Sequence, residues 1–257
     1  MNNDDQINNL RHSCAHLLAA AILDLYPEAL PTLGPSIENG FYYDFDNLKI
    51  ADSDLPAIEV KMHELVKNWQ GFEKQVMDYD QAKSIFSKNI YKLEIIEQYK
   101  DGELSSYESG EFSDLCRGGH CENPSDELKH FKLMSTAGAY WRGDEKNKML
   151  TRIYGTCWSS QKELDDYLAM REARQANDHR ILGKKLDLFA FSDLVGAGLV
   201  MYTPRGTIIK NELKNALIQM SKKYGVQEVN IPHMAKIDLY KISGHPEKFG
   251  GELFKVV

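Results

Sequence analysis

The run Arg11-His12-Ser13-Cys14-Ala15-His16-Leu17-Leu18 decides how this chain is read. It lies within residues 4 to 26, where Leu10, Cys14, Leu17, Leu18, Ala21 and Tyr26 recur at helical spacing. That period predicts one helix with those residues as its core stripe. Asp4 or Asp5 is the expected cap and Pro27 the expected stop. At about 100° per residue, His12 and His16 fall together on the side opposite the stripe. They are expected to project away from the hydrophobic anchor, with Cys14 between them in the core. A second pair has the same four-residue spacing: Cys116 and His120 in Cys116-Arg117-Gly118-Gly119-His120. Its glycines make it a loop whose backbone can approach a ligand. The four side chains are the donor set of a tetrahedral zinc site or of a compact hydrolytic site.

Outward from the first helix, Pro31, Gly34, Pro35 and Gly40 read as turns, and Phe41-Tyr42-Tyr43-Asp44-Phe45 as a strand. Residues 54 to 69 carry a second amphipathic stripe, Leu55, Ile58, Met62, Leu65, Val66 and Trp69, with His63 off it at the surface. Residues 71 to 115 mix short strands with helical pieces. Strand-like runs follow at Phe131 to Met134, Ala139 to Trp141 and Met149 to Trp158. The pattern to residue 158 is α+β with antiparallel strands. Residues 160 to 180 are strongly charged and read as a connecting helix. Thr203-Pro204 opens a further helix through Ile208, Ile209, Leu213, Ala216, Leu217 and Met220, stopped by Gly225. Val226 to Ile231 reads as a strand ended by Pro232. Phe254 to Val257 has the pattern of a strand's middle, as expected of a fragment.

Composition bounds the function. The chain has 257 residues, enough for one large domain or two ordinary ones, and is 42% hydrophobic and 27% charged. Its polar start does not read as a secretory leader, and Leu17 to Leu23 is too short to span a bilayer. Four dispersed cysteines fit a reducing compartment, hence a cytoplasmic location, better than a disulfide framework. A net charge of -7 argues against indiscriminate nucleic-acid binding. Lys and Arg cluster at 142–152, 180–185 and 210–223, each of which reads first as a solvated face. There is no P-loop or dinucleotide fingerprint.

Several motifs together carry a resemblance. Besides the opening run they are Asn39-Gly40-Phe41-Tyr42-Tyr43-Asp44, Asp114-Leu115-Cys116-Arg117-Gly118-Gly119-His120, and His130-Phe131-Lys132-Leu133 with Ala137 to Asp144. Asp178-His179-Arg180, Leu188-Phe189 and Ser243-Gly244-His245 follow in order. The chain resembles bacterial threonyl-tRNA synthetase along essentially all of its length. The resemblance implies an editing (tRNA deacylase) domain over 1–158, a linker helix over 159–182, and over 183–257 the first part of a class II antiparallel-sheet catalytic domain. The helix at 204 to 223 and the strand after it look like motif 1, which in that family forms the homodimer interface. Motifs 2 and 3, the ATP site, the catalytic zinc ligands and the anticodon-binding domain would lie beyond Val257. The implied partners are tRNA(Thr) and seryl-tRNA(Thr), with no membrane. The parent would be a threonine–tRNA ligase, while the chain itself would only hydrolyse. Gly119 stands where many relatives have proline.

The chemistry expected of such a domain is modest. Serine is threonine minus a methyl group, and a synthetic site rejects it by only about 1–3 kcal/mol. A second site must therefore hydrolyse the wrong ester by positioning a water, removing its proton and stabilising an oxyanion. His12 and His16 are expected to face Cys116 and His120, with His12 as base or water-orienting group. The resemblance places Lys92 in the pocket, against the oxyanion or terminal ribose, and Tyr43 and Asp114 against the substrate amine or hydroxyls. By residue type alone, Lys92 and Tyr43 read as structural. The bare spacing favours zinc, and the related alanyl editing domain holds zinc with such a tetrad. Threonyl-type domains work without an obligatory metal there, and histidine bases suffice for an ester. A metal-free site is thus expected, with zinc at His12, His16, Cys116 and His120 as the alternative. The competing reading is a non-catalytic, zinc-stabilised tRNA-binding module.

Overall fold

The computed structural model describes residues 3–232 and 234–249. The strand expected at 254–257 lies outside the described residues. The chain divides into two compact units, one up to Arg174 and one from Gln175 onward.

The first unit opens with α1 (Asn3–Leu25). This helix begins at Asn3, so Asp4 and Asp5, the expected caps, both sit inside its first turn. Short strands β1 (Leu30–Pro31) and β2 (Ser36–Ile37) precede β3 (Gly40–Asp46). Pro31 therefore sits in a strand, at the sheet edge that proline tolerates. Next come α2 (Leu55–Leu65), β4 (Glu73–Met77), α3 (Tyr79–Ile85), α4 (Ile90–Gln98), β5 (Leu104–Ser109) and β6 (Phe112–Leu115). Then follow α5 (Pro124–Glu127), β7 (His130–Tyr140), β8 (Met149–Trp158) and α6 (Gln161–Ala176). The 131–134 and 139–141 runs, read as two strands, are one: β7 continues through a register shift between Leu133 and Ser135. A bulge hides the alternation there without ending the pairing.

One antiparallel sheet has the order β1-β3-β8-β7, with β2 also on β3. A second has the order β4-β5-β6. Alternation on β3 sends Phe41, Tyr43 and Phe45 into the core with α1, α2, Ile153 and Cys157. The other face carries Asp44, which Arg152 grips with Nε at 2.6 Å and Nη2 at 2.7 Å. The same guanidinium lies 3.8 Å over the Tyr42 ring. Arg152, read as part of a solvated basic cluster, is thus a cross-strand clamp, opposite Asp44 in register.

Phe41 pairs with Gly155, and its ring occupies the space a side chain there would fill. An added Cβ at Gly155 would sit 2.3 Å from the ring. Gly155→Ala is expected to destabilise the fold by about 1–3 kcal/mol through overpacking. A urea midpoint unchanged from that of the parent protein would contradict the packing account.

The expected connecting helix over 160–180 is broken. α6 ends at Ala176, and Asp178 caps a new helix, α7 (His179–Lys185), by accepting from the Arg180 N–H at 2.7 Å. In the second unit, β9 (Phe189–Ala190) pairs antiparallel with β10 (Met201–Tyr202). α8 (Pro204–Lys222) starts as the sequence indicates, with Thr203 Oγ1 accepting from the Gly206 N–H. α9 (Ile237–Ile242) and α10 (His245–Phe249) follow. The strand expected at Val226 to Ile231 is not formed: those residues have no regular structure, and Val226, Val229 and Ile231 are exposed. A lone strand is unstable without a partner edge. Ile208, Leu213, Leu217 and Met220 of α8 are also exposed.

Candidate active site

The sequence places His12 and His16 on an outer face of α1, but the structure corrects this. The middle of α1 is buried all round: Cys14, Ala15, Leu17, Leu18, Ala19, Ala20, Ala21 and Ile22 are all inaccessible. The small alanines let neighbouring elements close on every side. His16 is only 2% exposed, edge-on to Phe72 and Phe112. His12 is half-buried.

The loop after β6 completes the cluster. The Cys116 N–H donates to the Ser105 carbonyl at 3.0 Å, and Ser105 Oγ donates to the Cys116 carbonyl at 2.7 Å. Gly118 and Gly119 then take φ of +102° and +85°, which β-carbon-bearing residues rarely adopt. Proline's ring forbids the Gly119 value, so a relative with proline there needs a different loop path.

His12, His16, Cys116 and His120 come together with their donor atoms within 4.8 Å of one another. His12 Nε2 lies 3.0 Å from Cys116 Sγ, and His120 Nε2 lies 3.4 Å from the same sulfur. The rings of His12 and His120 stack at 4.7 Å, with His16 edge-on to both. Burial pushes all three imidazoles below their usual range, helped by mutual repulsion for His16 and His120. His120 falls to about 2. Burial likewise raises the Cys116 thiol to about 11. The cluster is therefore neutral, and each imidazole keeps one unprotonated nitrogen. His16 Nδ1 is buried without a partner. This donor set fits a tetrahedral cation such as zinc.

Beside the cluster lies a buried ion pair. Lys92 of α4, 2% exposed, meets Asp114 Oδ1 of β6 at 2.6 Å. Tyr43 OH donates to the other Asp114 oxygen, and Lys92 Nζ donates to the Tyr43 oxygen at 3.4 Å. Asn89 caps α4 with its side chain and so fixes Lys92 one turn inside it. His12, His16, Cys116, Tyr43, Lys92 and Asp114 all line one cavity of about 350 Å³, the size of a small-ligand site. His120 instead lines a neighbouring cavity of about 420 Å³ with Gln6, Asn9 and Cys121.

Sequence reading missed Ser13, Thr32 and Gly34. The Gly34 carbonyl accepts from His12 Nδ1 at 3.2 Å, and Ser13 Oγ meets His120 Nδ1 at 3.3 Å. Ser13 was in view between the two histidines, but nothing in its spacing marks a partner 107 residues away. His63 is exposed, as read, and stacks on Phe131 at 4.3 Å.

Neutral buried histidines make stability depend on pH. Below about pH 6.5 the unfolded chain takes up protons that the fold refuses. In chelator, the histidines should therefore add no pH dependence above that pH. Below it, the loss should be about 1.4 kcal/mol per pH unit for each histidine kept neutral. Urea titrations that show no loss from about pH 7 to about pH 5 would contradict the burial of these rings.

Residues 104–154 match the family described as the threonyl and alanyl tRNA synthetase second additional domain. The match includes Asp114, Cys116 and His120. The particular relationship is with threonine–tRNA ligases, to which the chain is similar along nearly its whole length. It is 45% identical over 253 residues to the threonine–tRNA ligase of Staphylococcus carnosus (strain TM300), covering 98% of this chain and 39% of that protein. For the enzyme of Phytoplasma australiense the identity is 44% over 250 residues, covering 96% and 39%. For that of Acholeplasma laidlawii (strain PG-8A) it is 45% over 248 residues, covering 95% and 38%. The chain thus spans about two fifths of the length of these relatives. No helix among the described residues is long and apolar enough to cross a membrane.

Proposed function

We propose that this chain is the editing portion of a threonyl-tRNA synthetase and hydrolyses seryl-tRNA(Thr). One observation carries the reading. Neutral imidazoles and a thiol share a small cavity with a lysine, an aspartate and a tyrosine that are buried and mutually paired. Nothing in the packing of a fold requires so many polar groups at one place, and each is costly to bury.

In this mechanism His12 is the general base. Its Nδ1 proton is held by the Gly34 carbonyl, which leaves Nε2 unprotonated, and it takes the water proton once the Cys116 thiol 3.0 Å away turns from it. Asp114 and Tyr43 receive the substrate's amine and hydroxyl, while Lys92 stabilises the oxyanion or holds the terminal ribose. His16 and Cys116 line the same wall, and His120 stands behind Cys116. Selectivity in this reading requires these walls to exclude the extra methyl of threonine by steric conflict.

A zinc ion, if bound, would be held by His12, His16, Cys116 and His120 and would polarise groups beside it. Four protein ligands close a tetrahedral site and leave no position for water. The hydrolytic role is therefore assigned to the metal-free form. Chelator should leave serine release unchanged, and stoichiometric zinc should suppress it by occupying His12 Nε2. Loss of activity in chelator, restored by zinc, would reverse this assignment. The competing reading, a zinc-stabilised tRNA-binding module, is favoured by the same cluster. It predicts tRNA binding without turnover. Release of labelled serine from Ser-tRNA(Thr) decides between the two.

The domain limits proposed for this role are 1–158, 159–182 and 183–257, the last being the start of a class II catalytic domain. In the proposed parent ligase, tRNA(Thr) is the partner, ATP and a catalytic zinc serve the synthetic site, and the helix at 204 to 223 pairs two subunits. The proposed location is the cytoplasm.

A further inference from the structure

A run of hydrogen bonds crosses the cluster from a backbone N–H to a backbone carbonyl. The Cys121 N–H donates to Ser13 Oγ at 3.0 Å. Ser13 Oγ is 3.3 Å from His120 Nδ1, and His120 Nε2 is 3.4 Å from Cys116 Sγ. Cys116 Sγ is 3.0 Å from His12 Nε2, and His12 Nδ1 is 3.2 Å from the Gly34 oxygen. The first group can only donate and the last can only accept. Each of the four groups between them, in its neutral form, has one proton to give. The links and the protons are therefore equal in number, and only one arrangement fills them all.

That arrangement is read back from the carbonyl. Gly34 requires the His12 proton on Nδ1. His12 Nε2 is then an acceptor and takes the Cys116 proton. The sulfur, having given its proton, accepts from His120 Nε2–H. The Gly118 N–H donates to the same sulfur at 3.3 Å, in keeping with that role. His120 Nδ1 is left as an acceptor, and only the Ser13 hydroxyl can fill it. Turning the Ser13 proton to the neighbouring Cys121 sulfur does not rescue another order. His120 would then carry its proton on Nδ1, Cys116 would give its own to His120, and the 3.0 Å link from Cys116 to His12 would have none.

We infer that Ser13 is a positioning residue that fixes His120 as the Nε2–H tautomer, opposite to the Nδ1–H tautomer of His12, and so turns the Cys116 thiol proton toward His12. Ser13 is fully buried and is not among the residues that line the 350 Å³ cavity. It acts through His120 and Cys116. The consequence for catalysis, an unprotonated His12 Nε2 that the Cys116 thiol holds as an acceptor until a water replaces it, rests on the hydrolytic reading. The tautomer assignment does not.

The test is long-range proton–nitrogen NMR on the chain labelled with ¹⁵N-histidine, in chelator at neutral pH, with signals assigned through His12→Gln and His120→Gln. The expected spectrum shows His120 protonated on Nε2 and His12 on Nδ1. Ser13→Ala should shift His120 toward a mixture of tautomers and leave His12 on Nδ1, and Ser13→Thr should restore the parent spectrum. Serine release, followed separately, reports on the hydrolytic reading alone. His120 protonated on Nδ1 in the parent chain would overturn the inference, whether or not the variants fold. So would an unchanged His120 in a folded Ser13→Ala chain.

Discussion

His12→Ala should lower serine release from Ser-tRNA(Thr) by about 10²–10⁴-fold, the range for losing a positioned general base. The effect should fall on the chemical step. His12 reaches the cavity from α1, while the proposed binding groups Tyr43, Lys92 and Asp114 come from β3, α4 and β6. Single-turnover rates should therefore collapse while tRNA affinity stays within a few-fold. The fold should survive, because His12 is half-buried and what is lost is its hydrogen bonds to Gly34 and Cys116 and its ring contacts with His16 and His120. A folded His12→Ala chain that releases serine at the parent rate would remove His12 from the mechanism.

The largest expected effect on stability lies at the ion pair. Lys92 and Asp114 are both almost fully buried, and their side chains are only 2% and 5% exposed. Taking away one partner leaves a charge in the interior with no compensation, at a cost of about 3–5 kcal/mol. Lys92→Met should show that loss in urea unfolding, and Asp114→Asn a similar one. The double variant should recover much of it, because replacing both charges removes the desolvation penalty together with the attraction. If the single variants lose less than about 1 kcal/mol, the pair is solvated and its geometry is not as described. Either single variant should also lose serine release, since both groups line the cavity. On the proposed function, a pair kept at such cost serves substrate recognition rather than stability.

The fold and the site were legible to different depths. The α1 period, the β3 alternation and the Thr203-Pro204 start of α8 are local signals, and the structure follows them. The two ligand-type pairs were visible by spacing, and they do converge. The burial of His16 was not legible. A helical wheel assigns one apolar side, but the alanines at 15, 19, 20 and 21 allow close packing on all sides. The bulge in β7 broke the alternation and split one strand into two on paper. Lys92 and Tyr43 look like surface or core residues until Asp114 is placed between them, and that meeting joins three elements distant in sequence. Val226 to Ile231 has a strand's composition, but among the described residues no strand pairs with it. Pairing, unlike helix formation, cannot be judged from one segment alone.

The central claim is that the cluster and the ion pair form one metal-free hydrolytic site that tells serine from threonine. The most direct test is single-turnover deacylation by this chain, in chelator, of Ser-tRNA(Thr) and Thr-tRNA(Thr) side by side. The account predicts rapid loss of serine, with threonine spared by at least about ten-fold, the least that a sterically rejected methyl group imposes. Equal loss of both amino acids, or binding of tRNA with release of neither, would contradict it.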